Sequence, residues 1–115
     1  MFNAADQLRV LLSIKGQVIT IRRGDLSAKL EAVRGTNAGR LLGGDGSYTS
    51  FRTDDWLIVV ADTGSFGRPV AGDVIEWNGK QYTIGHPDNR RQAVERRPGD
   101  DEELTLRIHS ISEQP

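Results

Sequence analysis

The chain contains no cysteine. This absence excludes a disulfide-linked scaffold, a thiolate metal site and a cysteine nucleophile. Its longest apolar run, Trp56 to Ala61, is too short to cross a bilayer. The first residues also lack the basic start, apolar stretch and small-residue cleavage site of a signal peptide. Together these absences predict a soluble intracellular product that is held together by non-covalent packing alone.

An excess of charge of either sign is also missing. Lysine and arginine number 15 and aspartate and glutamate 16, which gives a net charge of -1. A chain with this balance has no overall field to draw it onto nucleic acid or a membrane surface. With 115 residues, it is long enough for one domain with a modest core, and we expect a single domain over residues 1–115.

Residues that carry chemistry are few. His86 and His109 are the only histidines, and His86-Pro87-Asp88 is the only cluster of metal-ligand types. A histidine at the end of a strand is more typical of a surface or loop position than of a ligand set. Asp54 and Asp55 are adjacent, so in a strand they point to opposite faces and cannot act as a pair. The sequence predicts no catalytic residues, no cofactor and no metal site.

A glycine-rich stretch, residues 43–47, has a superficial likeness to a phosphate-binding loop. It lacks the Gly-Lys-Ser/Thr ending of such loops, and no helical pattern follows it. Nucleotide binding is therefore not predicted.

One helix is predicted at the N-terminus. Leu8, Leu11 and Leu12 follow the spacing of a helix with one apolar stripe. Asn3 can cap its start and Gly16 can end it. The sequence predicts a helix within residues 1–15.

From Gly16 onward the pattern changes to the alternation of strands. Residues 18–21 and 26–33 read as two strands around a turn at Arg23-Gly24-Asp25, and 51–61 reads as a long central strand. Asn78-Gly79 predicts a type I′ turn between two paired strands. Leu104, Leu106 and Ile108 indicate a last strand. Residues 16–112 are therefore expected to form a mainly β body, either a small antiparallel β-sandwich or a partly open β-barrel.

Two long loops are expected to project from this body. Residues 36–50 contain four glycines around Leu41-Leu42, and residues 87–102 are polar and rich in arginine. Ordering such segments costs considerable conformational entropy, so each is either mobile or becomes ordered against a partner. The second alternative is favoured in a chain this compact.

Contacts with other subunits or neighbouring proteins are predicted mainly in these loops. In the second loop a basic block directly precedes an acidic one, a pattern that fits either a subunit contact or an ordinary solvated loop. Phe66, in a glycine-flanked loop, is a candidate anchor for a neighbouring subunit, whereas Trp56 and Trp77 are expected in the core. The candidate contact residues are Leu41, Leu42, Phe66, Arg90, Arg91, Arg96, Arg97, Asp100 and Asp101.

A resemblance covers about residues 16–112. The sequence Asp55-Trp56-Leu57-Ile58 is followed by Pro69 and Gly72-Asp73-Val74-Ile75. Next come the hairpin Asn78-Gly79-Lys80-Gln81-Tyr82-Thr83-Ile84 and a closing Leu106-Arg107-Ile108-His109. In this order the segments resemble the small head-tail joining proteins of tailed phages and prophages.

The resemblance implies a virion structural protein and no enzyme. It implies a head-completion or stopper protein whose copies form a ring, of six or twelve subunits, at the neck between head and tail. Its partners would be further copies, portal or adaptor proteins, and a tail or tail-terminator protein, with assembly in the host cytoplasm. Such a ring helps to retain packaged DNA, and channel-facing arginines would contact phosphates without reading sequence. No membrane partner is implied.

Two other functions stay open at this point. The first is a tail terminator or another neck component. The second is a free-standing nucleic-acid-binding β-barrel, which the near-neutral charge and the scarcity of aromatic residues disfavour.

Overall fold

A computed structural model describes residues 2–113. One helix, α1, is followed by seven strands, and a short 3-10 segment, Val60–Phe66, is interrupted at Gly64. The elements are α1 (Ala4–Lys15), β1 (Gly16–Arg23), β2 (Leu26–Leu42), β3 (Tyr48–Val59), β4 (Val74–Trp77), β5 (Lys80–Ile84), β6 (Val94–Arg96) and β7 (Thr105–Ser112).

The sheet closes on itself. The strand order is β3-β2-β1-β4-β5-β7-β6, and an additional pairing joins β3 to β7, so six antiparallel strands form a closed barrel. On its other edge β7 pairs with β5 through residues 110–112 and with β6 through residues 106–108. The prediction of a mainly β body with an N-terminal helix is confirmed. Of the two predicted architectures the barrel is the one observed, and it is closed and not partly open.

Alternate residues of the strands fill the barrel. Successive side chains of a strand point to opposite faces, so the inward set of each strand is apolar. Trp56 and Ile58 of β3 are fully buried, and the Trp56 indole Nε1 donates to Ser110 Oγ at 2.8 Å. Trp77 packs edge-to-face against Trp56 and is partly buried. The other fully or nearly fully buried barrel residues are Ile19, Ile21, Leu30, Ala32, Ile75, Tyr82, Ile84, Leu106 and Ile108.

Helix α1 covers the outside of the barrel. Asn3 caps its start and Gly16 follows its last residue, as the sequence predicts. Asp6 adds to this cap, because its side chain accepts from the Asn3 N–H and completes a capping box. Its buried residues Leu8 and Leu12 pack against Val33 and Val59, which face outward from β2 and β3. This explains why β3 carries a nearly continuous apolar run: one face fills the barrel and the other meets the helix.

The predicted hairpin forms as expected. Asn78 has φ 52° and Gly79 has φ 76°, the two positive values that a type I′ turn requires. The turn joins β4 to β5 with Trp77 opposite Lys80.

The prediction of a long loop over residues 36–50 is wrong. The pairing of β2 with β3 continues from Val33 and Leu57 to Leu42 and Tyr48, and only residues 43–47 form a turn. Gly39 lies opposite Phe51, whose ring lies where a side chain on residue 39 would be, so this glycine serves packing and not mobility. Residues 36–53 thus form a two-stranded ribbon, which we call the arm.

The second predicted loop, residues 87–102, is interrupted by structure. Val94 is buried and begins β6, which pairs with β7. The remainder of the segment consists of turns and irregular backbone.

The register between β3 and β7 defines two opposite ends of the molecule. Strand β7 pairs with β3 from Thr105 opposite Val59 to Ser110 opposite Asp54, and the arm continues beyond Asp54. The turns of residues 97–104 lie beyond Thr105, at the other end. We call these the arm end and the far end of a molecule whose long axis extends 50 Å. Within residues 2–113, α1 is too short and too polar to span a membrane.

Candidate interaction surfaces

The arm packs on its own subunit through one of its two faces, the face that carries Phe51. The ring of Phe51 packs edge-to-face on His86 with centroids 5.3 Å apart, and His86 in turn packs on His109 at 4.9 Å. Nearer the tip, Leu41 and Leu42 line a depression together with residues 87–90. A two-stranded ribbon on its own is only marginally stable in water. These contacts therefore stabilise the arm and fix the direction in which it projects from the barrel.

A buried histidine anchors the base of the arm. His109 is fully buried, and its Nδ1 lies 2.9 Å from Asp55 Oδ1, which also accepts a hydrogen bond from Thr53 Oγ1 at 2.9 Å. Glu95 Oε1 lies 3.3 Å from Nε2 without hydrogen-bond geometry. The expectation of a surface or loop histidine is therefore wrong for His109, because Asp55, His86 and Glu95 lie against its ring.

Two of these groups have shifted pKa values. Burial alone raises the pKa of Asp55, but the hydrogen bonds from His109 and Thr53 outweigh it, so the net pKa is lowered. Burial lowers the pKa of His86, and the neighbouring charges of His109 and Arg91 add to that effect. Asp55 is thereby held as an anion and His86 is kept neutral.

A second set of polar residues fixes the base of the arm on the side that faces the barrel interior. Arg34 donates to Asp54 Oδ1 at 2.6 Å, and its guanidinium lies 4.6 Å from the ring centroid of Trp77. Asp54 therefore faces the barrel interior while Asp55 faces outward. This confirms the prediction that these neighbours point to opposite faces of the strand.

The predicted contact residues separate into two surfaces. Leu41, Leu42 and Arg90 come together at the arm end, where Leu42 is 65% exposed. Arg90 and Arg91 are already paired within the subunit, with Asp88 at 3.1 Å and with Glu95 at 3.2 Å. The basic block is therefore not a row of free arginines.

At the far end, Arg96 lies 3.6 Å from Asp101, and both are exposed. Arg97 has no carboxylate within ion-pair distance among residues 2–113. Arg96 and Asp101 are accessible to a neighbouring molecule at this end.

Asp100 does not belong to that surface. It is 4% exposed and accepts hydrogen bonds from the backbone N–H of Leu104 and from both the N–H and the hydroxyl of Thr105, at 2.6 to 3.0 Å. Burial opposes its ionisation, yet the hydrogen bonds lower its pKa on balance. Asp100 is thus the internal cap of the turn before β7, and its position in the acidic block gave no signal of this.

Phe66 does not project toward a neighbour either. It is 7% exposed within its own barrel core, and the Arg23 guanidinium lies 4.8 Å from its ring centroid. Arg23 is held there by two hydrogen bonds of 2.8 Å to Asp73. The chain curls back through the 3-10 segment and seats Phe66 inside, which a glycine-flanked position did not indicate.

Across residues 2–113, histidine and carboxylate side chains nowhere gather in a group of three or more that could hold a metal ion. Where polar side chains converge in the described structure, their hydrogen bonds stabilise turns or the base of the arm. The arrangement is suited to presenting rigid surfaces.

Replacing Asp100 by alanine is expected to lower the free energy of unfolding by about 2–3 kcal/mol, because three donors, two of them buried, lose their acceptor. The adjacent Asp101→Ala is the matched control, since Asp101 is exposed, and should change it by less than about 0.5 kcal/mol. Urea denaturation measures both. Equal effects of the two substitutions would show that Asp100 is not a structural cap.

The pH dependence of stability is expected to carry the signature of His86. Because its folded pKa is lowered, the unfolded chain binds this proton more readily, so stability is lost as pH falls below about 6.5. The free energy of unfolding should therefore decline between about pH 7.5 and pH 5.5. His86→Gln should decline less over the same range. An identical decline in the two proteins would assign it to groups other than His86.

The comparison with known proteins bears on this architecture. No curated protein matches the chain significantly. A family profile described as phage head-tail joining protein matches residues 4–115. That match spans α1, the barrel, the arm and both ends, so it applies to the whole architecture and not to a fragment. The chain belongs to the phage head-tail joining protein family.

Proposed function

We propose that the protein is a head-completion or stopper component of the phage neck. In this proposal its copies form a ring of six or twelve subunits that links the portal and adaptor proteins of the head to the tail and helps to retain the packaged DNA. Family membership covers the coarser statement, a structural protein of head-tail joining in the virion. The ring, the stopper role and the DNA contact are the proposal.

The observation that supports it best is the separation of two accessible surfaces. The arm end presents Leu42 and Arg90, and the far end presents Arg96 and Asp101, along a 50 Å axis. A closed barrel with a tightly packed interior keeps these ends at a constant distance. A joint between two different assemblies needs such a spacer with a different chemistry at each end.

The buried side chains also fit a passive role. The strongest polar clusters, around His109 and around Asp100, are occupied with hydrogen bonds inside the subunit. What remains accessible is charge and apolar surface at the two ends, which are features of docking.

The proposal can be tested with a phage that lacks this gene. Its lysate should contain heads and tails of normal length that do not join, and its filled heads should release DNA that nuclease can digest. Purified protein is incubated with these heads, and the unbound protein is removed. The treated heads should then join untreated tails. Infectious titre and electron microscopy provide the measurements.

The same lysate separates the alternatives. If the protein restores joining only when it is incubated with the tails, the defect lies in the tails and a tail terminator is the better function. Infectious particles at normal yield without the gene would refute a joining role altogether.

Single substitutions test the far-end surface. Arg96→Glu should lower the yield of joined particles at least about tenfold, a loss of roughly 1.4 kcal/mol in binding, because it reverses an exposed charge at a docking surface. Stability should change by less than about 0.5 kcal/mol, since exposed ion pairs contribute little. Lys29→Glu, an exposed reversal on the barrel wall, is the control and should join normally.

Normal joining by Arg96→Glu would remove the far end from the interface. Deleting residues 90–97 is a poorer test, because the deletion removes β6 and with it the buried Val94.

A further inference from the structure

A depression of about 370 Å³ lies at the mouth of the barrel, where the arm leaves it. The base of the arm forms one side, with Arg34, Arg52 and Asp54. The other side consists of Lys80 and Tyr82 on β5 and of the end of β7. The depression is therefore enclosed between the arm and the hairpin of β4 and β5.

Strand alternation brings these side chains together. On β3, Arg52 and Asp54 lie two and four residues before Trp56, whose side chain is fully buried inside the barrel, so all three belong to the same face. On β5, Lys80 lies two residues before Tyr82, which is 2% exposed and also points into the barrel. The inward face of both strands thus changes from apolar to charged at the mouth.

The positive charges of the depression exceed the negative ones. Arg34 and Asp54 neutralise each other through a contact of 2.6 Å. Arg52 lies 3.8 Å from that same carboxylate, and its side chain is 66% exposed. Lys80 has no carboxylate within ion-pair distance among residues 2–113. Two cations therefore share one concave site without an acceptor of their own.

The shape of the site favours the carboxylate of a protein side chain as the ligand. A cleft with an excess of one sign of charge attracts the opposite sign, and cations hold carboxylates through short charge-assisted hydrogen bonds. Ile111, 38% exposed, lines the same depression and can contact the aliphatic stem of a glutamate. Duplex DNA is instead neutralised by rows of cations along its regularly spaced phosphates, and two charges in a depression do not form such a row.

The position of the site indicates where the carboxylate comes from. Asp101 and Glu102 are exposed at the far end, and Asp25 is exposed in the turn before β2, at the same end. Copies that stand in one orientation in a ring keep these acidic residues away from one another's arm ends. A different protein that meets the arm end is therefore the source that the charges favour.

We propose that this depression receives an aspartate or glutamate side chain of another neck protein, whose carboxylate binds Arg52 and Lys80. The proposal rests on the proposed joining function and adds to it the chemistry of one partner. Arg34 acts as a positioning residue, because Asp54 and the ring of Trp77, 4.6 Å from its guanidinium, hold it at the side of the site.

The small number of lysines offers a direct test. Lysine occurs only at positions 15, 29 and 80. Joined particles are treated with a water-soluble carbodiimide, which links an amine to a carboxylate only when the two are in contact. Mass spectrometry should find Lys80 linked to an acidic residue of another polypeptide. Lys80→Arg keeps the charge but removes the amine, so these particles should join normally and lack the cross-link.

Charge reversal tests the same contact without a cross-linker. Lys80→Glu places a carboxylate beside the ligand and gives Arg52 an acceptor within the subunit, so the yield of joined particles should fall at least about tenfold. Lys29→Glu, the exposed reversal on the barrel wall, is the control and should join normally. Circular dichroism verifies that both variants fold.

The outcomes are distinct. Normal joining by Lys80→Glu overturns the site and leaves the joining function in place. So does a cross-link from Lys80 only to a second copy, for example to Glu31 on the barrel wall, because it assigns the depression to a subunit contact. Particles of Lys80→Glu that join normally yet release DNA would assign the cations to phosphates. Normal particles in the absence of the gene refute the joining function itself.

Discussion

The pairing of β3 with β7 is the constraint on which the structure depends. Without it the seven strands would be an open sheet; with it they enclose Trp56, Ile58, Leu106 and Ile108 in a sealed interior. The same strand continues past the barrel into the arm. One strand thus links the rigid core to the most exposed element of the molecule, so the direction of the arm is inherited from barrel closure.

Polar groups secure that link on both faces. Arg34 and Asp54 close the inner side of the arm base, while Asp55, Thr53 and His109 hold the outer side. A buried charge is costly unless it is paired and hydrogen-bonded. Their placement at the junction means that a change in arm direction would leave charged groups unpaired, which favours one arrangement of the arm over many.

Sequence reasoning succeeded where the signal is local. The N-cap at Asn3, the positive-φ positions of Asn78 and Gly79, and the alternation in β7 depend on residues within a few positions of one another. It failed at residues 36–50, where the glycines were taken to mark a long loop. Gly39 is there because Phe51, distant in sequence, lies across it.

The predicted contact residues also divide into those whose position follows from local sequence and those whose position depends on how the chain folds. Exposure of Leu42, Arg96 and Asp101 follows from their polar or turn-rich surroundings. Phe66 and Asp100 are internal because the chain folds back over them, in one case through a 3-10 segment and in the other through a turn that needs an acceptor for Thr105.

By itself, the sequence determined the class of fold, the helix, the tight hairpin and the resemblance to a family, because periodicity, turn chemistry and short motifs are properties of neighbouring residues. Only the tertiary structure decided that the sheet closes, that the glycine-rich segment is a two-stranded arm, and that the charged residues lie at two opposite ends. Those features depend on which distant strands pair and in which register, and backbone hydrogen bonds carry no residue-specific signal of that choice.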